Sequence, residues 1–358
     1  MEERVIRFTA VFFSVLTVVV CVSLYFFPDM HAKAVERAEE KQAQEEYAAK
    51  QQQEMTELML GKTEQAVENS TPQNTAQLQL KLPEGVKGEE ILTQDNYVTQ
   101  TVTVEIPEVG ETYFDSYPMT GKSNHIDNLS YMVENGEGMI EIALDQVYEL
   151  KTSYDADYFY LDFVDPHEIY DKIVVIDAGH GGRAPGATIK GVNEKDIDLA
   201  IVLKLKEIFD ASGENIGVYY TRTDDSNPTF DQRVQLANKS QADLFISIHN
   251  NSTPSGRMSG IKGTQVMFSE SDTNDLGSRH LAEICMEEVT AMTGSVDKGF
   301  VEGDSIYIIR TSEVPVALIE VGFMTNQEEL DNLNSEEYQE KTAQGVYNAI
   351  LRALSEGY

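Results

Sequence analysis

The chain has 358 residues, enough at roughly 100 to 200 residues per domain for two domains with smaller attachments, and too many for one small module. Asp and Glu number 61 against 27 Lys and Arg, a formal net charge of −34; this excludes the basic footprint that phosphate-backbone binding needs, so no nucleic-acid partner is expected. Hydrophobic residues make up 41% of the chain and can build a sizeable core, while two distant cysteines, Cys21 and Cys285, provide neither a disulfide framework nor a thiolate metal site.

Residues 8–27, FTAVFFSVLTVVVCVSLYFF, form an uncharged run of 20 residues. At about 1.5 Å per residue such a helix crosses the roughly 30 Å hydrocarbon core of a bilayer. An N-terminal transmembrane helix is expected rather than a cleaved signal peptide, whose apolar core typically spans about 7 to 15 residues. Arg4 and Arg7 before the run are balanced by Lys33, Arg37 and Lys41 after it, so flanking charge leaves the orientation open. Residues 32–60 contain neither Gly nor Pro, are rich in Ala, Glu, Gln and Lys, and keep no sustained heptad; they predict a solvated helical stalk. Residues 61–77 are polar, with Ser, Thr, Asn and Pro, and read as a linker.

The period then changes. Val98, Val102, Val104 and Ile106 alternate with polar residues, as do Ile140, Ile142 and Leu144, then Phe159, Leu161 and Phe163. These are strand faces, and Asn135-Gly136 marks a turn between them, so residues 78–166 predict a small all-β domain. Its His125, and His167 just beyond it, read as ordinary polar residues. From Lys172 strands alternate with helices: KIVVI, a helix over 196–211, IGVYYT, a helix opened by a Thr229/Gln232 capping box, DLFISIH and GTQVMF. A helix over 276–292, strands SIYIIR and VALIEV, and a closing amphipathic helix through Val346, Ile350 and Leu354 complete residues 172–358. The pattern predicts an α/β domain with a mainly parallel sheet and helices on both faces.

Ligand sites in such sheets lie beyond the carboxyl ends of strands. That rule selects His180 after KIVVIDAG, His249 after DLFISI and Glu320 after VALI. Glu194 follows the glycine-rich loop at 181–191 and opens the next helix, which can return its carboxylate to the same edge. Two imidazoles and a carboxylate make three zinc ligands and leave a fourth position open, with a second carboxylate for proton transfer.

IDAGHGG, GVNEKD, TRTDD, QRVQLANKSQADLFISIHNN and VALIEVGFMTN resemble, in order, the motifs of the zinc-dependent N-acetylmuramoyl-L-alanine amidases that cleave peptidoglycan. The resemblance runs from about Lys172 to Leu354 and implies His180, Glu194 and His249 as zinc ligands and Glu320 as the catalytic carboxylate. It further implies peptidoglycan as substrate and a catalytic domain on the extracytoplasmic side of the cell membrane, held there by the anchor, with division or wall-localisation proteins as prospective partners. The all-β region is similar in position and strand content to AMIN-type wall-targeting domains; an unrelated spacer fits the pattern equally. The alternatives are a catalytically weak wall-binding or division scaffold, or a hydrolase of another amide.

Further roles remain open. Asp177 can orient a ligand or satisfy turn amides. Arg222 and Arg233 are expected to pair with Asp224 and Asp231, Asn238 to end a helix, and Cys285 to fill the core. The 71 positions between His249 and Glu320 leave little room for an occluding helix, so an open site is expected, with the loop at 250–260 as its only moving cover.

Overall fold

Alternating apolar residues in the first half become eight strands: β1 (Leu78–Lys81), β2 (Leu92–Asn96), β3 (Thr101–Pro107), β4 (Thr120–Gly121), β5 (Ile126–Glu134), β6 (Glu137–Leu144), β7 (Glu149–Tyr154) and β8 (Tyr158–Val164). The computed structural model describes residues 76–134, 136–272 and 277–358. The expected anchor at 8–27, the stalk at 32–60 and all but the last two residues of the linker at 61–77 lie outside them. Among the described residues no helix is long and apolar enough to cross a membrane.

The eight strands form two antiparallel sheets, in the orders β4-β1-β8-β7 and β2-β3-β6-β5. Val102 faces Ile142 and Val104 faces Ile140 across β3 and β6, and all four are buried. In the other sheet Phe159, Leu161 and Phe163 are buried with Leu78 and Leu80. Each sheet thus buries one face, as period-2 alternation requires. Val98 departs from the expected pattern: it lies in the turn before β3 and packs, with Tyr97, against the core of the second half.

In the second half β9 (Lys172–Ala178) is followed by a small hairpin, β10 (Thr188–Ile189) and β11 (Val192–Asn193). The hairpin turns at Lys190 and Gly191, both at positive φ, 51° and 84°. That geometry suits a two-residue hairpin turn and swings the chain into a helix beginning at Glu194. Next come β12 (Ile216–Tyr220), β13 (Leu244–Asn251), β14 (Thr264–Phe268), β15 (Asp297–Glu302) and β16 (Val316–Phe323). The central sheet has the order β12-β9-β13-β16-β14-β15. Its pairings are parallel except β14 with β16, so the sheet is mixed.

Helices Glu194–Ser212, Gly277–Thr293 and Glu336–Glu356 cover one face, burying Val174, Ile176, Ile246, Ile248, Ala317 and Ile319. The other face, with Ile173, Val175, Phe245, Val316 and Leu318, meets helices Phe230–Lys239 and Tyr307–Arg310 and also Val147 from the β-rich half. Coverage of both faces explains the unbroken apolar run of KIVVI.

Two elements differ from expectation. SIYIIR is not a strand: residues Tyr307–Arg310 are a helical turn, with Arg310 N–H donating to the Ile306 carbonyl and Thr311 N–H to that of Tyr307. Ile306 and Ile309, three apart, then share one side against the core, a spacing that a β-branched run conceals. Conversely, β15 was hidden because DKGFVE has a glycine and half-exposed edge positions where alternation would show.

Candidate active site

The loop after β9, the carboxyl halves of β13 and β16, which run on past the expected ends at His249 and Glu320, and one helix start meet at a single edge of the central sheet. β9 delivers His180, β13 delivers His249, and β16 delivers Glu320, which stands beside His249 in register. Glu194 is the first residue of its helix and turns back toward them. His180 Nε2 and His249 Nδ1 each lie 3.0 Å from Glu194 Oε1. The other Glu194 oxygen accepts from Ala187 N–H at 2.8 Å, and Asn250 N–H donates to Oε1 at 3.2 Å. The two rings stand edge to face, centroids 4.8 Å apart.

Glycines allow this convergence. A Cβ on Gly179 would sit 2.4 Å from the His249 ring, and one on Gly186 would sit 2.4 Å from a Glu194 oxygen and 2.6 Å from His180. No side chain fits at either place, so the loop can wrap the cluster only with glycine there.

Asp198, one helical turn after Glu194, joins the cluster. One ligand atom from each of His180, Glu194, Asp198 and His249 lies within 4.8 Å of the others. Asp198 is fully buried; its Oδ1 accepts from Asn250 Nδ2 at 2.7 Å, while Oδ2 has no hydrogen-bond partner. Glu320 likewise has a buried Oε2 without a partner. Orphaned carboxylate oxygens beside converging imidazoles suit a cation. Donors about 2.0 to 2.2 Å from one tetrahedral ion stand roughly 3.3 to 3.5 Å apart, close to the separations seen here. The donor set, two nitrogens and a carboxylate, is that of a zinc-type catalytic centre, and the residues fit such an ion.

Electrostatics separates the carboxylates. Burial would raise Glu194, but hydrogen bonds and charge from His180 and His249 hold it well below the ordinary carboxylate range. Burial pushes Glu320 up to about 7, with Glu194 adding to the rise and His249 opposing it. Burial also raises Asp198 well above its ordinary value. For His249 burial works downward, yet Glu194, Asp198 and Glu320 together lift it to about 9.

The arginines do not pair as expected. Arg233 Nη1 meets the fully buried Asp177 at 2.5 Å, and its other donors reach the carbonyls of Ala178, His180 and Pro228. Arg222 donates to the carbonyls of Ala178, Gly179, Lys195 and Asp224, touching Asp224 only through its backbone. Asp177 also accepts from Thr221 and Ser247, both at 2.6 Å, and so neither touches a ligand nor caps the glycine turn. Asp231 instead receives the Tyr307 hydroxyl. A buried carboxylate and a cluster of backbone carbonyls outcompete exposed loop acids for a guanidinium. Asn238 clamps the loop before β16, donating to Thr311 O and accepting from Glu313 N–H.

His125 bonds the Tyr148 hydroxyl and His167 the Gln241 carbonyl, both away from the cluster. Cys285 is buried, its thiol pushed up to about 12 by desolvation, which suits core packing rather than nucleophilic work. Sequence reasoning missed Asp198 and Asn250. The available signals were the i,i+4 spacing from Glu194, which puts Asp198 on the same helix face, and the position of Asn250 directly after His249.

Comparison with known proteins agrees with this geometry. A family model described as N-acetylmuramoyl-L-alanine amidase matches residues 174–352. The chain is 40% identical over 182 residues to the uncharacterized protein YqiI of Bacillus subtilis (strain 168), covering 51% of this chain and 84% of that one. It is 30% identical over 199 residues to the germination-specific N-acetylmuramoyl-L-alanine amidase of the same organism, covering 52% and 81%. The solved N-acetylmuramoyl-L-alanine amidase from Clostridium difficile 630 is 32% identical, with a TM-score of 0.49 and coverage of 52% of this chain and 98% of that one. With half of its length matched by the family model, and with 84% and 81% of those two relatives covered, the chain belongs to the N-acetylmuramoyl-L-alanine amidase family.

Proposed function

We propose that the chain hydrolyses the amide between the lactyl carbonyl of N-acetylmuramic acid and the L-alanine of the peptidoglycan stem peptide, with His180, Glu194 and His249 holding a zinc ion and Glu320 moving the proton. The observation that carries the reading is the meeting of those four side chains at one sheet edge. Zinc, when bound, supplies a Lewis acid and lowers the pKa of water near it. Glu194 and the two imidazoles form the holding set. Glu320, with a pKa near 7, can accept a proton from water as the C–O bond forms and return it to the alanine nitrogen as the C–N bond breaks. Asn250 braces both Glu194 and Asp198, and Arg233 and Arg222 fix the backbone that carries His180.

The same reading assigns residues 8–27 to a membrane anchor, 32–60 to a stalk, 61–77 to a linker, 78–166 to a wall-facing β domain and 172–358 to the catalytic domain outside the cytoplasmic membrane. Mass spectrometry of muropeptides incubated with the full chain in detergent, with zinc and with chelator, tests the chemistry. Release of the intact stem peptide with zinc alone supports it, whereas uncut substrate or cleavage at another bond rejects it. Protease added outside intact cells tests the topology; a catalytic region protected until lysis would contradict it.

A further inference from the structure

The proposed reaction leaves unused a pair of aromatic rings on the rim of the site. Phe230 is 68% exposed and Tyr307 is 37% exposed. Their centroids are 6.4 Å apart and their planes are tilted by 32°, so the two rings make one exposed aromatic pair. Both are braced. Phe230 follows the Thr229 N-cap, whose side chain and that of Gln232 close a reciprocal capping box. The Tyr307 hydroxyl donates to Asp231 Oδ1 at 3.1 Å, and the Arg310 guanidinium lies 5.8 Å from the Tyr307 ring centre. That guanidinium is itself held by the carbonyls of Asp304 and Ser305. Exposed aromatic surface is costly in water and, when rigid and flanked by polar groups, marks a contact surface.

The pair is tied to the catalytic edge by a single side chain. Arg233 donates through Nε to the Pro228 carbonyl at 3.1 Å and through Nη2 to the His180 carbonyl at 2.5 Å. Phe230 lies two residues after Pro228 and opens the helix that follows β12, a strand parallel to β9, so it stands at the same end of the sheet as His180. The intervening loop lies against the site: a Cβ on Gly181, the residue after His180, would strike the Ser226 carbonyl at 2.0 Å.

We propose that Phe230 and Tyr307 form a stacking platform for a sugar ring of the glycan strand next to the muramic acid whose amide is cut. This rests on the amidase reading. The face of an aromatic ring is electron-rich and meets the C–H face of a pyranose, while Asp231 beside the Tyr307 hydroxyl and Arg310 over the Tyr307 ring offer an acceptor and donors for ring substituents. The platform positions polymer rather than taking part in chemistry, so it acts on KM and on substrate length preference.

The test compares full-length wild type, Phe230→Ala, Tyr307→Ala and the conservative Phe230→Trp on two substrates: a single muramoyl peptide, and a strand of several disaccharides bearing the same peptide. Wild type should favour the strand in KM. That preference should fall about tenfold in both alanine variants, as for loss of an aromatic anchor, and return in Phe230→Trp. An unchanged preference in the alanine variants overturns the platform while leaving the amidase reading intact. Wild type that cleaves neither substrate overturns the amidase reading instead, and co-sedimentation with peptide-free glycan strands then decides the platform: Phe230→Ala binding as well as wild type rejects it. Weakened binding of a sugar-free stem peptide by Phe230→Ala would reject it too.

Discussion

At the residue scale, the proposed reaction divides holding from proton transfer among the four side chains, and substitutions should separate the two. His180→Ala or His249→Ala removes a nitrogen donor and should abolish tight metal binding. Glu320→Gln keeps size and polarity but not the proton acceptor, so metal content by elemental analysis should stay near one ion per chain while turnover falls about 10²-fold or more. Turnover within a few-fold of wild type would assign the proton to another group. The pH behaviour follows from His249. Its pKa, lifted from 6.5 to about 9, means that the metal-free site holds an imidazolium at neutral pH. A histidine raised in this way stabilises the metal-free fold fully below about 6.5, and that contribution is lost as pH climbs through about 9. A metal ligand must be deprotonated, so binding at pH 7 should release a proton and affinity should rise with pH up to about 9. Calorimetry in buffers of different ionisation enthalpy reads that proton directly; no buffer dependence at pH 7 would mean that His249 is already neutral.

At the element scale, the second residue beyond β9, His180, is left-handed at φ 58°, and the carbonyls from Ala178 to His180 are taken by two guanidiniums rather than by a neighbouring strand. Arg233 is the keystone, because it also neutralises Asp177, whose side chain is 1% exposed. Arg233→Met would leave that carboxylate buried and unpaired, a loss of roughly 3 to 5 kcal/mol. Arg233→Lys would restore charge but not the fork that spans Asp177 and three carbonyls. Denaturant melts should rank wild type, then Lys, then Met; equal midpoints would show that Asp177 is paired elsewhere. How much of this was legible in sequence depends on the kind of signal. Strand ends are marked by where apolar runs stop, so His180, His249 and Glu320 could be assigned to one edge, and Thr229 with Gln232 could be read as a cap. Partners of Arg222 and Arg233 are set by which carbonyls the chain leaves unpaired in three dimensions, and nearest acids in sequence mislead. The helical turn at Tyr307–Arg310 was concealed for a similar reason: Ile306, Ile308 and Ile309 favour a strand locally, and packing against Val316 and Leu318 overrides them.

At the scale of the whole molecule, the β-rich half is not a bead on a string. All described residues fall in one compact unit, and the second face of the catalytic sheet uses the first half as part of its cover. Val147 is buried in that core, and its N–H donates to the Lys239 carbonyl at 3.1 Å. Glu149 accepts the hydroxyl of Tyr219, on the edge strand β12, at 2.6 Å and that of Tyr97, from the β-rich half, at 3.1 Å, with the two rings 4.8 Å apart. A chain cut to begin at residue 166 would therefore uncover Val175, Tyr219 and Phe245 to different degrees and strip the Tyr219 hydroxyl of its partner. Exchanging the Glu149 acceptor for water costs the Tyr219 hydroxyl about 0.5 to 1.5 kcal/mol, and loss of the Val147 side chain from the core adds about 1.5 kcal/mol or more. The expected outcome is a fragment that melts clearly below the chain beginning at residue 76, by an amount that the single substitution Glu149→Ala partly reproduces in the longer chain. Val147, Tyr97 and Glu149 bond none of His180, Glu194, His249 and Glu320, so metal binding per folded molecule should survive the cut. Coincident melting of the two chains would reduce the β-rich half to a spacer. A fragment that folds fully yet no longer binds zinc would instead place a contribution of that half within reach of the catalytic edge.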